Sequence, residues 1–217
     1  MTQAELALIV GAGSGLSGSL ARLCAEAGMR VALAARNTDK LKSFAGASLH
    51  RCDASDPSDV ARLFESLETP DLVIYNPSYR VRGPLVSLDA EEVWKTLKVT
   101  AYGGFLVAQA AAKRMLARGN GSLLFTGASA SVKGYAESAP FAMGKFALRG
   151  LAQSLARELG PKGIHVAHFV IDGGIAGSGE DGKLDPGAIA KTYLDVHRQQ
   201  RSAWSFEVDL RPWVEKF

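Results

Sequence analysis

Residues 11–18 read Gly11-Ala12-Gly13-Ser14-Gly15-Leu16-Ser17-Gly18, between an apolar run at 6–10 and a helical pattern at 16–27. Glycine allows a tight turn and a close approach of the backbone to a ligand, and a helix N-terminus presents free N–H groups to a pyrophosphate. The spacing Gly13-x-Gly15-x-x-Gly18 fits the common dinucleotide fingerprint but begins late after the strand. The spacing from Gly11 to Gly15 fits the position better, with Ser17 in place of the last glycine. Both registers predict a nucleotide-binding loop; the alternative is a glycine-rich turn without a ligand.

The second apolar run ends in Ala34-Ala35-Arg36-Asn37. A carboxylate about twenty residues past the glycines would accept a hydrogen bond from a ribose 2′-hydroxyl and so select NAD. No carboxylate stands there, and Arg36 could instead pair with a 2′-phosphate. A charged hydrogen bond contributes roughly 1.5–3 kcal/mol, on the order of 10- to 100-fold in affinity. The sequence therefore predicts NADP(H) as cofactor; the alternative is a solvated surface arginine.

Short apolar runs alternate with longer helical patterns along the chain. Strands are predicted at 6–10, 31–35, 49–52, 72–75, 122–126, 164–171 and 204–210, and helices at 16–27, 38–44, 56–67, 89–117, 140–159 and 186–197. The helix at 89–117 is expected to bend at Gly103-Gly104. This alternation predicts a mostly parallel sheet of about seven strands with helices on both faces. We expect residues 1–217 to form a single α/β domain of the doubly wound, Rossmann type.

Composition restricts the class of protein. The chain has 217 residues, a net charge of +3 and no long basic run, so nucleic acid is not an expected partner. Neither a membrane-spanning stretch nor a charged signal region precedes or interrupts the patterns, which predicts a cytoplasmic protein. Cys24 and Cys52 suggest buried thiols rather than a disulfide framework. The four histidines lack metal-ligand spacing, so no metal is expected.

Several motifs further along the chain resemble the short-chain dehydrogenase/reductase family. Asp53 follows the third strand, where the family has an adenine-contacting aspartate. Tyr75-Asn76-Pro77-Ser78 stands where the family has Asn-Asn-Ala-Gly, and Phe141-x-x-x-Lys145 where it has Tyr-x-x-x-Lys. The stretch 148–166 also matches the family. The resemblance covers essentially the whole chain and implies a cofactor cleft. Its expected lining is Gly11, Gly13, Ser14, Gly15, Leu16, Arg36, Asn37, Asp53, Ala54, Asn76, Pro77, Lys145 and Ile175.

The departures from the family concentrate at its catalytic positions. The family's asparagine position falls on Thr100, its serine position on Ala128 with Ser129 next to it, and its tyrosine position on Phe141. Lys145 alone matches without adjustment. Asp172-Gly173 stands where Pro-Gly usually follows the sixth strand. The catalytic candidates are therefore Lys145, Ser129 and Phe141, the last as the position of a missing tyrosine.

Phenylalanine has no proton to give, and loss of a general acid typically costs ~10²- to 10⁴-fold in rate. Ser129 or Ser131 could place a hydroxyl near a substrate oxygen, and Tyr135 or Tyr102 could reach into the site. Reduction of an activated C=C bond offers a third route, because water can protonate the α-carbon after hydride transfer. Lys145 keeps a role in every case, since it can still bind the nicotinamide ribose.

Two functional classes follow from these residues. The first is an NADPH-preferring oxidoreductase with atypical proton delivery, acting on a small carbonyl compound or an activated C=C bond. The second is a catalytically silent NADP(H)-binding sensor or assembly protein. The segment Gly173 to Pro186 is short for a substrate lid. The helices at 89–117 and 140–159 and the strand at 204–210 match the family's usual subunit contacts, which implies a homodimer or homotetramer.

Overall fold

The computed structural model describes residues 3–176 and 181–215, which form a seven-stranded parallel sheet with helices on both faces. The strands are β1 Leu6–Val10, β2 Arg30–Ala35, β3 Ser48–Arg51, β4 Leu72–Tyr75, β5 Gly121–Thr126, β6 Ile164–Ile171 and β7 Glu207–Leu210. The helices are α1 Leu16–Glu26, α2 Pro57–Glu65, α3 Ala90–Leu97, α4 Gly103–Arg118, α5 Ala139–Leu159 and α6 Pro186–His197. The predicted fold class is confirmed.

The strand order β3-β2-β1-β4-β5-β6-β7 positions the candidate site. The chain runs outward from β1 to β3, then crosses back so that β4 pairs with β1 on its other side. In open α/β sheets, ligands bind beyond the carboxyl ends of the strands at such a switch point. Gly11, Arg36, Asn76, Gly127 and Asp172 each follow a strand at that edge.

Two apolar cores lie on opposite faces of the sheet. One packs α2, α4 and α5 against it through residues such as Phe64, Val107 and Leu148. The other packs α1 and α6 against it, and these two helices also contact each other. Every residue of β1, β4 and β6 is buried. The near-continuous apolar character of these strands is explained by burial on both faces.

The helix predicted at 38–44 is wrong, because only a single 3₁₀ turn forms at Asp39–Leu41. The Asn37 side chain accepts a hydrogen bond from the Asp39 N–H at 2.9 Å, which starts a turn rather than a long helix. Phe44 packs its ring close to Gly18 of α1. Seven residues are also too few to sustain an isolated helix without strong packing.

The long helix predicted at 89–117 is helical throughout but is interrupted by a π-helical segment at Lys98–Tyr102. The Tyr75 hydroxyl donates a 2.5 Å hydrogen bond to the Val99 carbonyl, and so takes an acceptor from the helix. A side chain inserted into the hydrogen-bond ladder is a recognised cause of such distortions. Gly103 lies just beyond, where a β-carbon would collide with the Tyr75 hydroxyl and the Ala54 carbonyl.

The strand predicted at 204–210 is too long, and its single apolar face is also wrong. The side-chain oxygen of Gln199 accepts a hydrogen bond from the Ser205 N–H, and the backbone carbonyl of Gln199 accepts one from the indole N–H of Trp204. Because of these hydrogen bonds, the chain stays irregular until Glu207. Phe206 packs against the core on one face of the sheet, whereas Val208 and Leu210 pack against the other.

Cys24 and Cys52 are both buried and unpaired with each other, as expected for structural thiols. Burial raises the pKa of Cys24 to about 11 and that of Cys52 to about 12, so neither is a thiolate at neutral pH. Within the described residues, no cluster of three metal-ligating side chains is present, and no helix has the length and apolar character needed to cross a membrane.

Candidate active site

The glycine loop joins β1 to α1 and lies against the end of β4. Gly11 has φ of 78°, and a β-carbon there would lie 2.7 Å from the Pro77 nitrogen, so glycine is required on both counts. Gly13 and Gly15 differ, because a β-carbon at either position would meet nothing within 4 Å. Their missing side chains therefore leave open space beside the N-terminus of α1 rather than room for another part of the chain.

Ser17, which replaces the last glycine of one register, ties this loop to β4. Its hydroxyl donates to the Gly11 carbonyl at 3.1 Å and accepts from the Asn76 side-chain amide at 2.8 Å. The residue is only 3% exposed. The serine thus fixes the loop against the strand end by hydrogen bonds, which a glycine could not do.

A cavity of about 410 Å³, which we call the Arg36 cavity, opens beside the glycine loop. Its lining is Gly11, Ala12, Ala35, Arg36, Asn37, Cys52, Asp53, Ala54, Ser55, Asn76, Pro77, Ser78 and Val99. Within residues 3–176 and 181–215, Arg36 forms no ion pair, so its guanidinium is available to an anion.

Asp53 also lines the Arg36 cavity. Its carboxylate accepts hydrogen bonds from the Ser55 N–H at 2.9 Å and the Ser55 hydroxyl at 2.7 Å. Partial burial opposes ionisation, but these hydrogen bonds and the charges of Arg36 and Lys98 outweigh it and hold the pKa of Asp53 below its usual value. The cavity therefore contains a fixed carboxylate and a cation.

A second cavity, of about 470 Å³, lies on the other side of Asn76 and Ser78, which line both. We call it the Lys145 cavity. Its lining is Leu16, Asn76, Ser78, Arg80, Thr126, Gly127, Ala128, Ser129, Tyr135, Phe141, Lys145, Ile171, Asp172, Gly173, Gly174, Ile175 and Glu215. Because the two cavities share a wall, one elongated ligand could extend from one to the other.

Lys145 projects from α5 into this second cavity and is almost completely buried, with 3% of its surface exposed. Its ammonium donates a 2.7 Å hydrogen bond to the Thr126 carbonyl at the end of β5. Burial lowers the pKa of Lys145 to about 8, because no carboxylate compensates the desolvated charge. An ammonium has three protons, so donors remain for a ligand.

Phe141 lies one helical turn before Lys145 and lines the same cavity. The lysine nitrogen is 5.9 Å from the centre of its ring. The guanidinium of Arg80 lies over the ring at 4.9 Å from the centre. The phenyl group therefore has two cations beside it, and it offers neither a proton donor nor an acceptor.

The turn after β5 carries the hydroxyl candidates. Ser129 lines the Lys145 cavity beside Ala128, whereas Ser131 is fully buried and its hydroxyl accepts the Ala128 N–H at 3.1 Å. Tyr135 lines the cavity, but Tyr102, the last residue of the π-helical segment, is exposed and stacked on Phe105 of α4. Ser131 and Tyr102 are thus excluded as groups that face this cavity, while Ser129 and Tyr135 remain.

Thr100 and Asp172 occupy the other two divergent positions. Thr100 is fully buried in the π-helical segment, and its hydroxyl accepts the Tyr79 N–H at 3.3 Å. It contributes nothing to the cavity lining. The Asp172 carboxylate lines the cavity and forms ion pairs with Lys133 at 3.6 Å and Arg211 at 4.0 Å. Two cations, Lys133 and Arg211, therefore compensate the charge of this buried carboxylate.

The segment after β6 folds back on itself and meets the segment after β7. Ile175 forms a β-bridge with Leu184, and Pro212 packs against Gly173. Glu215 adds a carboxylate to the cavity lining. Part of the loop at 173–187, residues 177–180, lies outside the described residues. The sequence does not predict this contribution of the segment after β7, since nothing in its pattern relates it to β6.

The structure brings most of the predicted cofactor residues to these two cavities. Ser14 and Gly15 line a neighbouring open cavity of about 570 Å³, together with Ile175. Arg80, Ser78 and Glu215 line these cavities although no sequence motif predicts it. Arg80 belongs to an irregular segment between β4 and α3, and only the tertiary contact with Phe141 reveals its position.

The residues fit a dinucleotide. The open space at Gly13 and Gly15 lies at a helix N-terminus, which suits a pyrophosphate. The Arg36 cavity offers a cation to an adenosine phosphate and a carboxylate to the adenine, and Lys145 offers donors to a ribose in the adjoining cavity. The donor set is therefore arranged in the order that a dinucleotide requires.

Comparisons with known proteins agree with this geometry. The sequence profile of the short chain dehydrogenase family matches residues 5–178. An oxidoreductase of Staphylococcus aureus (strain N315), named as uncharacterised, is 27% identical over 224 residues, covering 96% of this chain and 97% of the relative. A solved short-chain dehydrogenase from Rhodopseudomonas palustris is 32% identical, with a TM-score of 0.85 and coverage of 96% and 99%. The alcohol dehydrogenase of the archaeon Thermococcus sibiricus, complexed with 5-hydroxy-NADP, shares the fold at 22% identity, TM-score 0.88 and 99% coverage of both chains.

Proposed function

Because the chain belongs to the short chain dehydrogenase family, we propose that it is an NADP(H)-dependent oxidoreductase whose proton delivery departs from the family pattern. The observation that carries this proposal is the adjacency of the Arg36 cavity and the Lys145 cavity across Asn76 and Ser78. The relatives named as oxidoreductases favour an enzyme over a silent binding protein. The solved relative bound to an NADP derivative supports the choice of cofactor.

The chemistry supplied by bound NADP(H) is hydride transfer to or from carbon. Arg36 and Asn37 bind the adenosine phosphate, and Asp53 contacts the adenine. Lys145 donates hydrogen bonds to the nicotinamide ribose while the Thr126 carbonyl holds its ammonium in place. Gly11, Leu16, Ala54, Pro77 and Ile175 complete the walls of the cleft.

On the substrate side, Ser129 donates a hydrogen bond to the substrate oxygen or orients the substrate. Phe141 excludes water from one wall but supplies no proton. The proton for a carbonyl oxygen must therefore come from Ser129, from Tyr135 or from solvent admitted to the cavity. An activated C=C bond avoids this demand, because the α-carbon can be protonated by water after hydride arrives.

Titration with NADPH, followed by turnover of a panel of carbonyl compounds and activated alkenes, tests the proposed function. We expect micromolar binding and oxidation of NADPH by at least one member of the panel. Binding of NADPH with no turnover of either substrate class would contradict the enzymatic proposal. Absence of NADPH binding would also contradict the proposal that NADP(H) is the cofactor.

We predict that the protein binds NADPH more tightly than NADH, and that Arg36→Ala removes most of that preference. Loss of a charged hydrogen bond to the 2′-phosphate lowers the preference on the order of 10- to 100-fold. The ratio of the two dissociation constants, measured by fluorescence titration, is the readout. Arg30→Ala, at the opposite end of β2, is the matched control and should leave the ratio unchanged. Equal affinities in the unmodified protein would refute the role of Arg36.

We predict a homodimer or homotetramer formed through α4 and α5. Several large apolar side chains on and beside these helices are exposed: Tyr102 just before α4, Phe105 and Leu116 on α4, and Met143 and Phe146 on α5. Light scattering at micromolar concentration should give a multiple of the chain mass, and Phe105→Glu should lower it. Val86→Glu introduces the same charge at a 94% exposed position elsewhere and serves as control. A monomeric unmodified protein contradicts this assembly.

A further inference from the structure

Arg80 is a cation that faces the Lys145 cavity without an acidic partner. Among the residues that the structure describes, it makes no ion pair and no side-chain hydrogen bond. Arg149, by contrast, is bound by both carboxylate oxygens of Glu207, at 2.6 and 2.7 Å. A guanidinium has five N–H donors in a planar fork, and it keeps its proton at any relevant pH. All five donors of Arg80 are therefore available to a ligand.

The Phe141 ring holds this guanidinium at the cavity wall. The contact of 4.9 Å to the ring centre is within the range of a cation–π interaction, which stabilises the position by roughly 0.5–1 kcal/mol at an exposed site. The ring that cannot donate a proton thus acts as a platform for a cation. Because Phe141 lies one turn from Lys145, the platform sets Arg80 close to the reacting end of the site.

The cavity lining carries charges of both signs. Arg80 and Lys145 both contact the Phe141 ring, whereas the carboxylates Asp172 and Glu215 line the cavity at and near Gly173. Asp172 is matched by Lys133 and Arg211, and neither acid is paired with Arg80. Partial burial, together with the positive charge of Arg82, lowers the pKa of Arg80, as expected for a cation without a compensating anion.

We propose that Arg80 binds a carboxylate of the substrate, so that the substrate is a carbonyl compound bearing a carboxylic acid. This inference rests on the proposed oxidoreductase function and deepens it. The planar fork of arginine matches a carboxylate with two parallel hydrogen bonds, which fixes orientation as well as position. Arg80 is thus a residue that orients the substrate and determines specificity, and it transfers no proton.

Matched pairs of acids and esters test this assignment. The probes are acetoacetate with ethyl acetoacetate, and phenylglyoxylate with methyl phenylglyoxylate, each reduced with NADPH. We expect the unmodified protein to prefer the acids by about 10- to 100-fold in kcat/KM. Arg80→Gln should abolish the preference by raising KM for the acids with little change in kcat or in the KM for NADPH. Arg80→Lys, which keeps the charge but loses the fork, should retain part of it.

Arg82→Gln is the matched control, since it removes an equal charge two residues away in the same segment. It should leave the acid preference intact. An unchanged preference in Arg80→Gln, or no preference in the unmodified protein, would overturn the assignment. An equal loss of the acid preference in Arg82→Gln would show a general effect of net charge, and this result would also overturn the assignment.

Binding without turnover separates failure of this inference from failure of the proposed function. Calorimetric titration of 3-hydroxybutyrate into the protein saturated with NADP⁺ needs no chemical step. If no substrate turns over but 3-hydroxybutyrate binds, and binding is lost in Arg80→Gln and kept in Arg82→Gln, the carboxylate site stands while the enzymatic proposal fails. If the esters turn over and no carboxylate binds, the enzymatic proposal stands and the role of Arg80 is refuted.

Discussion

Replacing Phe141 with tyrosine is expected to increase the rate of carbonyl reduction by at least about tenfold, but by less than the full general-acid factor of ~10²–10⁴. The new phenol would line the Lys145 cavity, with the lysine nitrogen 5.9 Å from the ring centre and the guanidinium of Arg80 over the ring. Both charges favour a lower phenol pKa and hence proton transfer. Steady-state kcat with NADPH and a reactive ketone or aldehyde measures the change.

The gain should be larger when Ala128→Ser is added, because Ala128 lines the same cavity and its substitution supplies a second hydroxyl. It stays below the full factor because Thr100 and Asp172 remain. Phe146→Tyr adds the same phenol to an exposed position five residues further along α5 and is the matched control. If the unmodified protein already reduces carbonyls at ordinary rates and the tyrosine adds nothing, another group delivers the proton. Ser129→Ala and Tyr135→Phe then identify it.

Replacing Lys145 with methionine is expected to change how stability depends on pH. The pKa of Lys145 is lowered to about 8 in the folded protein by burial, whereas an unfolded chain keeps the ordinary value of 10.5. Between these values the unfolded state binds more protons, so the stability of the unmodified protein rises with pH. Between pH 8 and pH 10.5, the free energy of unfolding of the unmodified protein should rise by up to about 3 kcal/mol relative to that of Lys145→Met.

Denaturant unfolding of the cofactor-free protein at pH 7, 8, 9, 10 and 10.5 measures this difference. Below pH 8 the difference between the two proteins should be constant, because the lysine is then protonated in both states. Lys113→Met removes an exposed lysine from α4 and should run parallel to the unmodified protein throughout. A difference that stays flat up to pH 10.5 would show that Lys145 is not desolvated. Lys145→Met should also weaken NADPH binding, since ribose donors are lost.

Much of the fold could be predicted because its signals are local. The bounds of β1, β4, β6 and α6 follow from apolar runs and from capping residues. Asp56 and Asp89 accept backbone N–H groups at the starts of α2 and α3, as their positions in the sequence indicate. The glycine loop is predictable for the same reason, because its turn, its strand and its helix are adjacent in the chain.

The errors lie where a side chain outside the predicted element determines the backbone. The Tyr75 hydroxyl binds the Val99 carbonyl in the π-helical segment, whereas the sequence of 89–117 indicates only a bend at Gly103-Gly104, just beyond it. The alternation at 204–210 predicts a longer strand, but Gln199 holds the preceding residues in an irregular conformation. Helix propensity at 38–44 is too weak to prevail over the turn begun by Asn37.

The candidate site also contains residues with a local sequence signal and residues whose position depends on packing. The spacing of the sequence predicts that Gly11 and Arg36 line the site, and the motif Phe141-x-x-x-Lys145 predicts the same for Lys145. Ser131 could not be distinguished from Ser129 by sequence, since only the packed structure shows one hydroxyl turned inward and the other toward the cavity. The position of Arg80 depends on an aromatic ring 61 residues away, which no local pattern reveals.

The packing of α6 against α1 has a consequence for the protein during its synthesis. β1 begins at Leu6, but the helix that covers α1 on the same face of the sheet begins at Pro186. At about 5–20 residues per second, a ribosome needs on the order of ten to forty seconds to make the intervening chain. For that time the nascent chain carries an apolar face that has no native cover. Protection from aggregation by chaperones is therefore most needed before residues 186–217 emerge.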